Sequence, residues 1–418
     1  METSMPRWSD YTTGARIKIL RGKDIRQSDL AEMTGLSLPT IQQAEQDKRL
    51  TLQTLLLIAD ALRVDTSVIL GQQAPRRAME HDDRTVMRTL SQTVHDVAAG
   101  ILPDTVTAPS LETLTASSQR LWKLYWNGKY VEAGSLAAPL LAETAARLHD
   151  QPADEQSGTW GLLADGYRLA AYVANLMGSR DLAYAAIGHA QHAAAKAADS
   201  LRTALVMSGR SWVYLRDARL PEALRLAEQA ATDIEPRFSK ATTGELVAYG
   251  SHINFAAVVA SRMKDKERVK DYLSQSHATG ARMGKEAREH GTVFGPVTAT
   301  TQAVGINVAL GQSGKALSLM KDINPDHEAA LSSAARHRYA MDKAMAQADA
   351  KMWDTSLDTL ESALLDAPEW ARHQALPSII VQKVGKASTS RLRRVSKLIG
   401  VAAPGADSFQ PATTSTAL

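Results

Sequence analysis

Residues 13–71 read TGARIKILRGKDIRQSDLAEMTGLSLPTIQQAEQDKRLTLQTLLLIADALRVDTSVILG, and the reading of this stretch decides how the rest of the chain is understood. Leu52, Leu55, Ile58, Ala59 and Leu62 keep the i, i+3, i+4 spacing of an amphipathic helix. Leu30 and Ala31 stand one turn before Gly35, and Ile41 and Ala44 share a helix face. Gly35 ends the second helix, because the left-handed residue that closes a helix is least costly in glycine. Ser37 is placed to cap the next helix, and Pro39 falls in its first turn, where backbone N–H groups lack intrahelical partners. The stretch therefore predicts five short helices, the second and third joined by a tight glycine turn.

A helix, a glycine turn and a capped helix form the helix-turn-helix pattern. The segment resembles the phage-repressor-type (XRE) helix-turn-helix family through Gln27, Leu30-Ala31, Gly35-Leu36-Ser37, Thr40-Ile41 and Glu45. LTLQTLLLIADAL and VDTSVIL match that family's fourth and fifth helices. The resemblance implies that the helix after Ser37 enters the major groove of double-stranded DNA. Leu38, Pro39 and Gln43 would then face bases, with Gln27, Ser37, Thr40 and Gln42 at phosphates or the groove edge. The Gln43 amide suits adenine. Leu38 and Pro39 depart from the usual polar residues and offer only apolar contact, as to a thymine methyl, so part of the specificity would come from DNA shape.

Residues 12–71 hold eight Lys/Arg and seven Asp/Glu, so the segment is nearly neutral and its electrostatic footing for DNA is weak. Its cations are grouped, however. Arg16, Lys18, Arg21, Lys23 and Arg26 surround the first helix and its turn, and Lys48 and Arg49 follow the recognition helix. Two phosphate-facing patches are expected. The alternative is a protein-interaction module on the same fold.

The chain has 418 residues, a net charge of +3 and no cysteine. Charge alone implies no partner, and disulfide, thiol-nucleophile and Cys-zinc chemistry are excluded. METSMPRWSD carries no apolar core of a signal peptide, and no run approaches the ~18 apolar residues of a membrane span. A cytoplasmic location without membrane contact is expected.

Residues 72–110 change character: a polar stretch, a helix-compatible VMRTLSQTVHDVAAGIL, then PDTVTAPS. They read as a linker with a bridging helix. From 111 to 400 a six-residue element recurs as GKYVEA (128–133), GSRDLA (178–183), ARLPEA (218–223), KDKERV (264–269), GQSGKA (311–316) and KMWDTS (351–356). The last residues of these copies lie 50, 40, 46, 47 and 40 apart, and each copy is flanked by helical patterns. Pro325 and Pro368 stop the second helices of two copies. The element resembles the turn of tetratricopeptide repeats, units of about 34 residues, at longer and irregular spacing. The expected fold is all-α: the five-helix domain at 12–71, then a right-handed α-solenoid of degenerate helix pairs, another all-α bundle being the alternative. Residues 401–418 read as a disordered tail.

In such solenoids the first helix of each pair lines the concave face. The register set by the hinges assigns to that face Trp122 and Tyr125; Asp165, Arg168, Tyr172 and Asn175; Ser208 and Trp212; Ser251, Asn254 and Ser261; and Thr298 and Thr301. Amides that pair with backbone, alternating with aromatic pockets, suit an extended peptide. Against this, Trp and Tyr at helical spacing are commonly core, and Asp165 with Arg168 fits an intrahelical ion pair.

Catalytic constellations are missing from the sequence. His327-Glu328 lacks the second histidine of HExxH, and GQSGKA has Ala309 and Ala316 where a phosphate loop needs Gly and Ser or Thr. No enzyme activity, metal or cofactor is expected. The basic run Arg391, Arg393, Arg394 and Lys397 reads as a solvated helix face or a contact for acidic partners. As an architecture, a phage-repressor-type reader followed by a tetratricopeptide-like domain resembles the peptide-pheromone receptor regulators of Gram-positive bacteria, the RRNPP group. That resemblance implies a homodimer on a pseudo-palindromic operator, with recognition helices ~34 Å apart. It also implies quorum-sensing control by a short peptide in the groove, with a partner protein or a small molecule as alternatives.

Overall fold

A helix can reverse direction only if its last carbonyl groups find donors, and all six recurring elements meet that need in the same way. In the computed structural model, which describes residues 8, 11–22, 25–71, 81–102, 105–371, 373–385 and 389–399, the first residue of all six recurring elements is left-handed. The φ values are 76° at Gly128, 75° at Gly178, 59° at Ala218, 63° at Lys264, 75° at Gly311 and 61° at Lys351. The next residue then donates its N–H to the carbonyl five positions back. Lys129 reaches Leu124, Ser179 Ala174, Arg219 Tyr214, Asp265 Ala260, Gln312 Asn307 and Met352 Gln347, at 2.8–3.1 Å. This is the Schellman closure. The element's last residue is Ala133, Ala183, Ala223, Val269, Ala316 or Ser356, and each is at most 2% exposed, which explains why small side chains recur there.

The chain divides into two compact units, residues 1–79 with 347–418, and residues 80–346. In the first unit α1 (Thr13–Arg21), α2 (Gln27–Thr34), α3 (Leu38–Glu45), α4 (Leu52–Ala61) and α5 (Thr66–Ile69) are the five predicted helices. Ile17, Leu30, Ile41, Leu55, Ile58 and Ile69 form their shared core. Gly35 ends α2 at φ 65°, and Ser37 Oγ accepts from Thr40 N at the start of α3. The same unit contains α19 (Trp353–Asp366), α20 (Pro368–Ala371), α21 (Leu376–Val384) and α22 (Thr389–Leu398). Arg391 pairs with Asp358 at 2.6 Å and Arg394 with Glu361 at 3.0 Å. The basic run on α22 thus meets its acidic partners on α19.

The second unit opens with α6 (His81–Ala98), then runs through α7 (Leu111–Trp126), α8 (Tyr130–Asp150), α9 (Ser157–Leu176), α10 (Arg180–Ala197), α11 (Ser200–Arg216), α12 (Leu220–Asp233), α13 (Thr243–Met263) and α14 (Lys266–Met283). Strands β1 (Ala287–Glu289) and β2 (Thr292–Phe294) follow, then α15 (Pro296–Ala309), α16 (Ser313–Lys321), α17 (Pro325–Glu328) and α18 (Ser333–Asp349), whose last residues belong to the first unit. Each helix from α7 to α16 packs on the next, and α7, α9, α11, α13 and α15 also pack on one another in sequence. The first helices of the pairs therefore form one layer. Ala223, Leu224 and Ala227 of α12 close on Ala256 and Val259 of α13.

Three features differ from the sequence expectation. The segment 72–110 does not stand apart as a linker: α6 buries Val86, Met87, Leu90 and Val94 and packs along α8 within the second unit. The block 111–400 is divided, because residues from 347 onward group with the helix-turn-helix. A two-stranded antiparallel hairpin, Ala287 opposite Phe294 and Glu289 opposite Thr292, also interrupts the helices. Residues 72–80, 103–104 and the tail at 401–418 lie outside the described residues.

The hinge conformation gives a direct test. A non-glycine residue in the left-handed region costs ~1–2 kcal/mol. Gly178→Ala should therefore destabilise the protein by about 1 kcal/mol, whereas Ala218→Gly should leave stability unchanged or raise it. Thermal denaturation of both variants checks this, and equal effects at the two hinges would contradict it.

Candidate DNA interface and ligand groove

The third helix is presented by what its other face buries. Ile41 and Ala44 are in the core, whereas Ser37, Leu38, Pro39 and Gln43 are exposed, as are Lys48 and Arg49 just beyond the helix. Thr40 and Gln42 are half-buried, and the Thr40 hydroxyl lies 2.8 Å from Ser37 Oγ. Gln27, also among the predicted DNA-facing residues, is half-buried. Its Nε2 donates to Glu45 Oε2 at 2.7 Å, so it fastens α2 to α3.

Glu45 and Asp47 hold the reader together. The Glu45 carboxylate also receives a forked contact from Arg21, 2.6 Å from Nε and 3.2 Å from Nη2. Gly14 lets α1 approach so closely that a Cβ there would overlap the Glu45 carbonyl. Asp47, left-handed at φ 55°, accepts from Gly14 N at 2.7 Å and from Gln382 Nε2 of α21 at 3.3 Å. Burial raises the Asp47 carboxyl above its usual range, opposed by hydrogen bonds from Thr12 and Gly14 and by the charge of Arg16.

The expected phosphate patch on α1 needs correction. Arg16 is fully buried, with Nη1 donating to Ile69 O at 2.9 Å and Nε to Trp8 O at 3.0 Å, and burial pushes its guanidinium down to about 10. Arg21 is committed to Glu45. Only Lys18 and Arg26 of that group are exposed, and Lys23 lies outside the described residues.

In the second unit six of the predicted groove residues converge. Trp122 stands edge-on to Tyr125 and Tyr172, with ring centroids 5.8 and 5.6 Å apart, and Tyr172 reaches Trp212 at 5.0 Å. The Arg168 guanidinium sits 4.5 Å from the Trp122 ring centroid and 3.5 Å from Asp165. Asp165 also pairs with Arg202 of α11 at 3.2 Å, which in turn holds Asp199 at 2.6 Å. Asn175, on the same helix, is fully buried with neither amide atom bonded. Ser208 and Ser251 are half-buried.

The remaining predicted positions spend their hydrogen bonds locally. Asn254 Oδ1 accepts from Ser276 Oγ of α14 at 3.2 Å, and Ser261 Oγ donates to Val258 O. Thr301 Oγ1 donates to Val297 O. Thr298 donates to Glu286 Oε2 at 2.5 Å while Glu286 Oε1 caps the α15 N-terminus. Sequence reasoning missed Trp126, Arg202, Asp199, His252 and the β1–β2 hairpin. The hairpin had a readable signal, since His290-Gly291 is a two-residue loop with φ 42° and 77°, the twist that tight hairpins prefer.

Residues 17–69 match a family model described as Helix-turn-helix, and a segment of this kind suggests a DNA-binding transcriptional regulator. Comparison with curated proteins and with solved structures returned no match. No helix among the described residues is long and apolar enough to cross a membrane.

Two predictions follow from these contacts. Glu45→Ala removes the acceptor of three half-buried donors, Arg21 Nε and Nη2 and Gln27 Nε2, and should destabilise the first unit by about 3 kcal/mol; chemical denaturation measures it, and a loss well under ~1 kcal/mol would show the contacts to be idle. The second concerns His252, which burial pushes down to about 4, the Ala204 backbone opposing and Arg168 reinforcing the shift. The unfolded chain takes up the proton first, at ~6.5, so stability present above that pH is lost as pH falls toward 4. The loss should total about 3 kcal/mol. His252→Gln should remove that component from urea curves recorded at pH 7.5 and 4.5.

Proposed function

We propose that this protein is a sequence-specific transcription regulator whose DNA binding is controlled by a short peptide in a groove of a tetratricopeptide-like solenoid. The observation that carries the DNA half is the exposure of Ser37, Leu38, Pro39 and Gln43 on a helix otherwise locked into the core. The solenoid reading is supported by the six equivalent hinges and the single layer made by the first helices of the pairs. The ligand half is supported by the aromatic and arginine cluster on that layer, which combines flat apolar surfaces with a charged donor suited to main-chain carbonyls. The protein acts in the cytoplasm as a homodimer, placing two recognition helices on a pseudo-palindromic site. A ligand moves this equilibrium only by its differential affinity for the two states.

Chromatin capture of the tagged protein, with sequencing of bound DNA, should return a few sharp palindromic sites. On such a site in a gel shift at fixed salt, Leu38→Ala and Gln43→Ala should each weaken binding by about 1–3 kcal/mol. Replacing Lys48 or Arg49 by Gln should lower the salt slope by about one unit per contact. Unchanged affinity in the first pair would remove α3 from the interface.

A further inference from the structure

The cluster just described already holds a piece of chain. The tip of the β1–β2 hairpin enters it, and the wall recognises mainly the tip's main chain. Trp126 Nε1 donates to Gly291 O at 2.5 Å. Arg168 donates through Nη2 to His290 O and through Nη1 to Thr292 Oγ1 at 3.2 Å. Gly291 lies flat on Trp122: a Cβ there would overlap the indole, and φ 77° already disfavours any other residue. The His290 ring is nearest Glu289 Oε1 of its own hairpin, at 3.1 Å, and lies 3.9 Å from both Asp165 Oδ2 and Asp199 Oδ2 of the wall.

We propose that this groove is a binding site for an extended peptide bearing a nitrogen-donor side chain (His, Lys or Arg) followed by glycine, and that the hairpin tip occupies it in cis. The ligand then binds by displacing the tip. This rests on the peptide-sensing reading above and specifies what the peptide must carry.

The wall has contacts of its own besides those to the tip. Arg168 pairs with Asp165 and lies over Trp122, and Arg202 pairs with Asp165 and Asp199. The tip's departure takes the acceptors of three donors, Trp126 Nε1 and Arg168 Nη2 from main-chain carbonyls and Arg168 Nη1 from the Thr292 hydroxyl, and buried donors left unpaired are costly. Any extended chain that supplies two successive carbonyls relieves that cost. Glycine is required where the chain crosses Trp122, and the side chain before it meets Asp165 and Asp199.

The tip is also the part of the hairpin most easily lifted. It pairs over three residues on each strand, and so short a ribbon has little stability of its own. His290 is held left-handed without being glycine. The base is fixed independently, because Phe294 is fully buried against Gly250 of α13 and Glu286 caps α15. Self-occupancy multiplies a ligand's apparent affinity by the fraction of groove that is open, so loosening the tip should strengthen binding without any change in the wall.

The test uses the full chain and a synthetic blocked peptide of the sequence Ala-Arg-Glu-His-Gly-Thr-Val-Phe, that of residues 287–294. Gly291→Leu should expel the tip and bind this peptide at least tenfold tighter than the unaltered protein in titration calorimetry. Thr292→Val, a milder change that removes only one acceptor from Arg168, should fall between them and serves if Gly291→Leu does not fold by circular dichroism. A peptide with leucine in place of its glycine should not bind. Equal or undetectable binding across all three proteins would overturn the proposal, while the operator binding measured for α3 would be untouched. Tighter binding to the variants with no change in operator affinity would sustain the occupied groove and overturn peptide control of DNA binding.

Discussion

The six recurring helix pairs depend on closing each first helix cheaply. A helix leaves its last four carbonyls without intrahelical donors, and a helix-pair array multiplies that liability by every turn it contains. Here one solution recurs: a left-handed residue, a returning N–H and a small buried residue one turn into the next helix. Where glycine supplies the hinge the conformation is free. At Ala218, Lys264 and Lys351 it is not, and those hinges are held by the packing around them. The burial of Ala223 and Ser356 indicates how tightly that packing closes.

The reader domain relies on a different economy. Its near-neutral charge is explained once the cations are sorted by what they touch. Arg16 and Arg21 are internal struts, the first reaching Ile69 O and the second Glu45, so they contribute little to the outer field. The field that faces outward along α3 comes chiefly from Lys48 and Arg49. The exposed apolar pair Leu38 and Pro39 stands at the helix start, so contact there rests on shape and methyl groups more than on charge.

The helices were largely legible in the sequence because each is written in local terms: a 3.6-residue period, a cap, a hinge. The fate of long polar side chains was not. Arg16 and Lys18 are alike in sequence, and only the tertiary arrangement buries one and exposes the other. Trp122, Arg168 and Tyr172 make contacts that lie between successive first helices. Asn254, Thr298 and Thr301 are claimed instead by Ser276, Glu286 and a backbone carbonyl. Hydroxyls and amides find near partners that a face assignment cannot foresee. The hairpin was missed because three-residue strands are too short for a period to show.

The end of the recognition helix is also where the two sequence-distant halves of the first unit meet. Asp47 caps α1 through Gly14 N and at the same time accepts from Gln382. Burial and the neighbouring charge of Arg49 lower the Lys383 ammonium below its usual range, and Lys383 pairs with Asp349. The turn that carries Lys48 and Arg49 therefore depends on α21 as well as on the five helices of the reader. A helix-turn-helix that needed only its own core would have no use for a half-buried carboxylate shared with a residue more than three hundred positions away. Asp47 loses a donor if either partner leaves, so it ties the turn after α3 to α21.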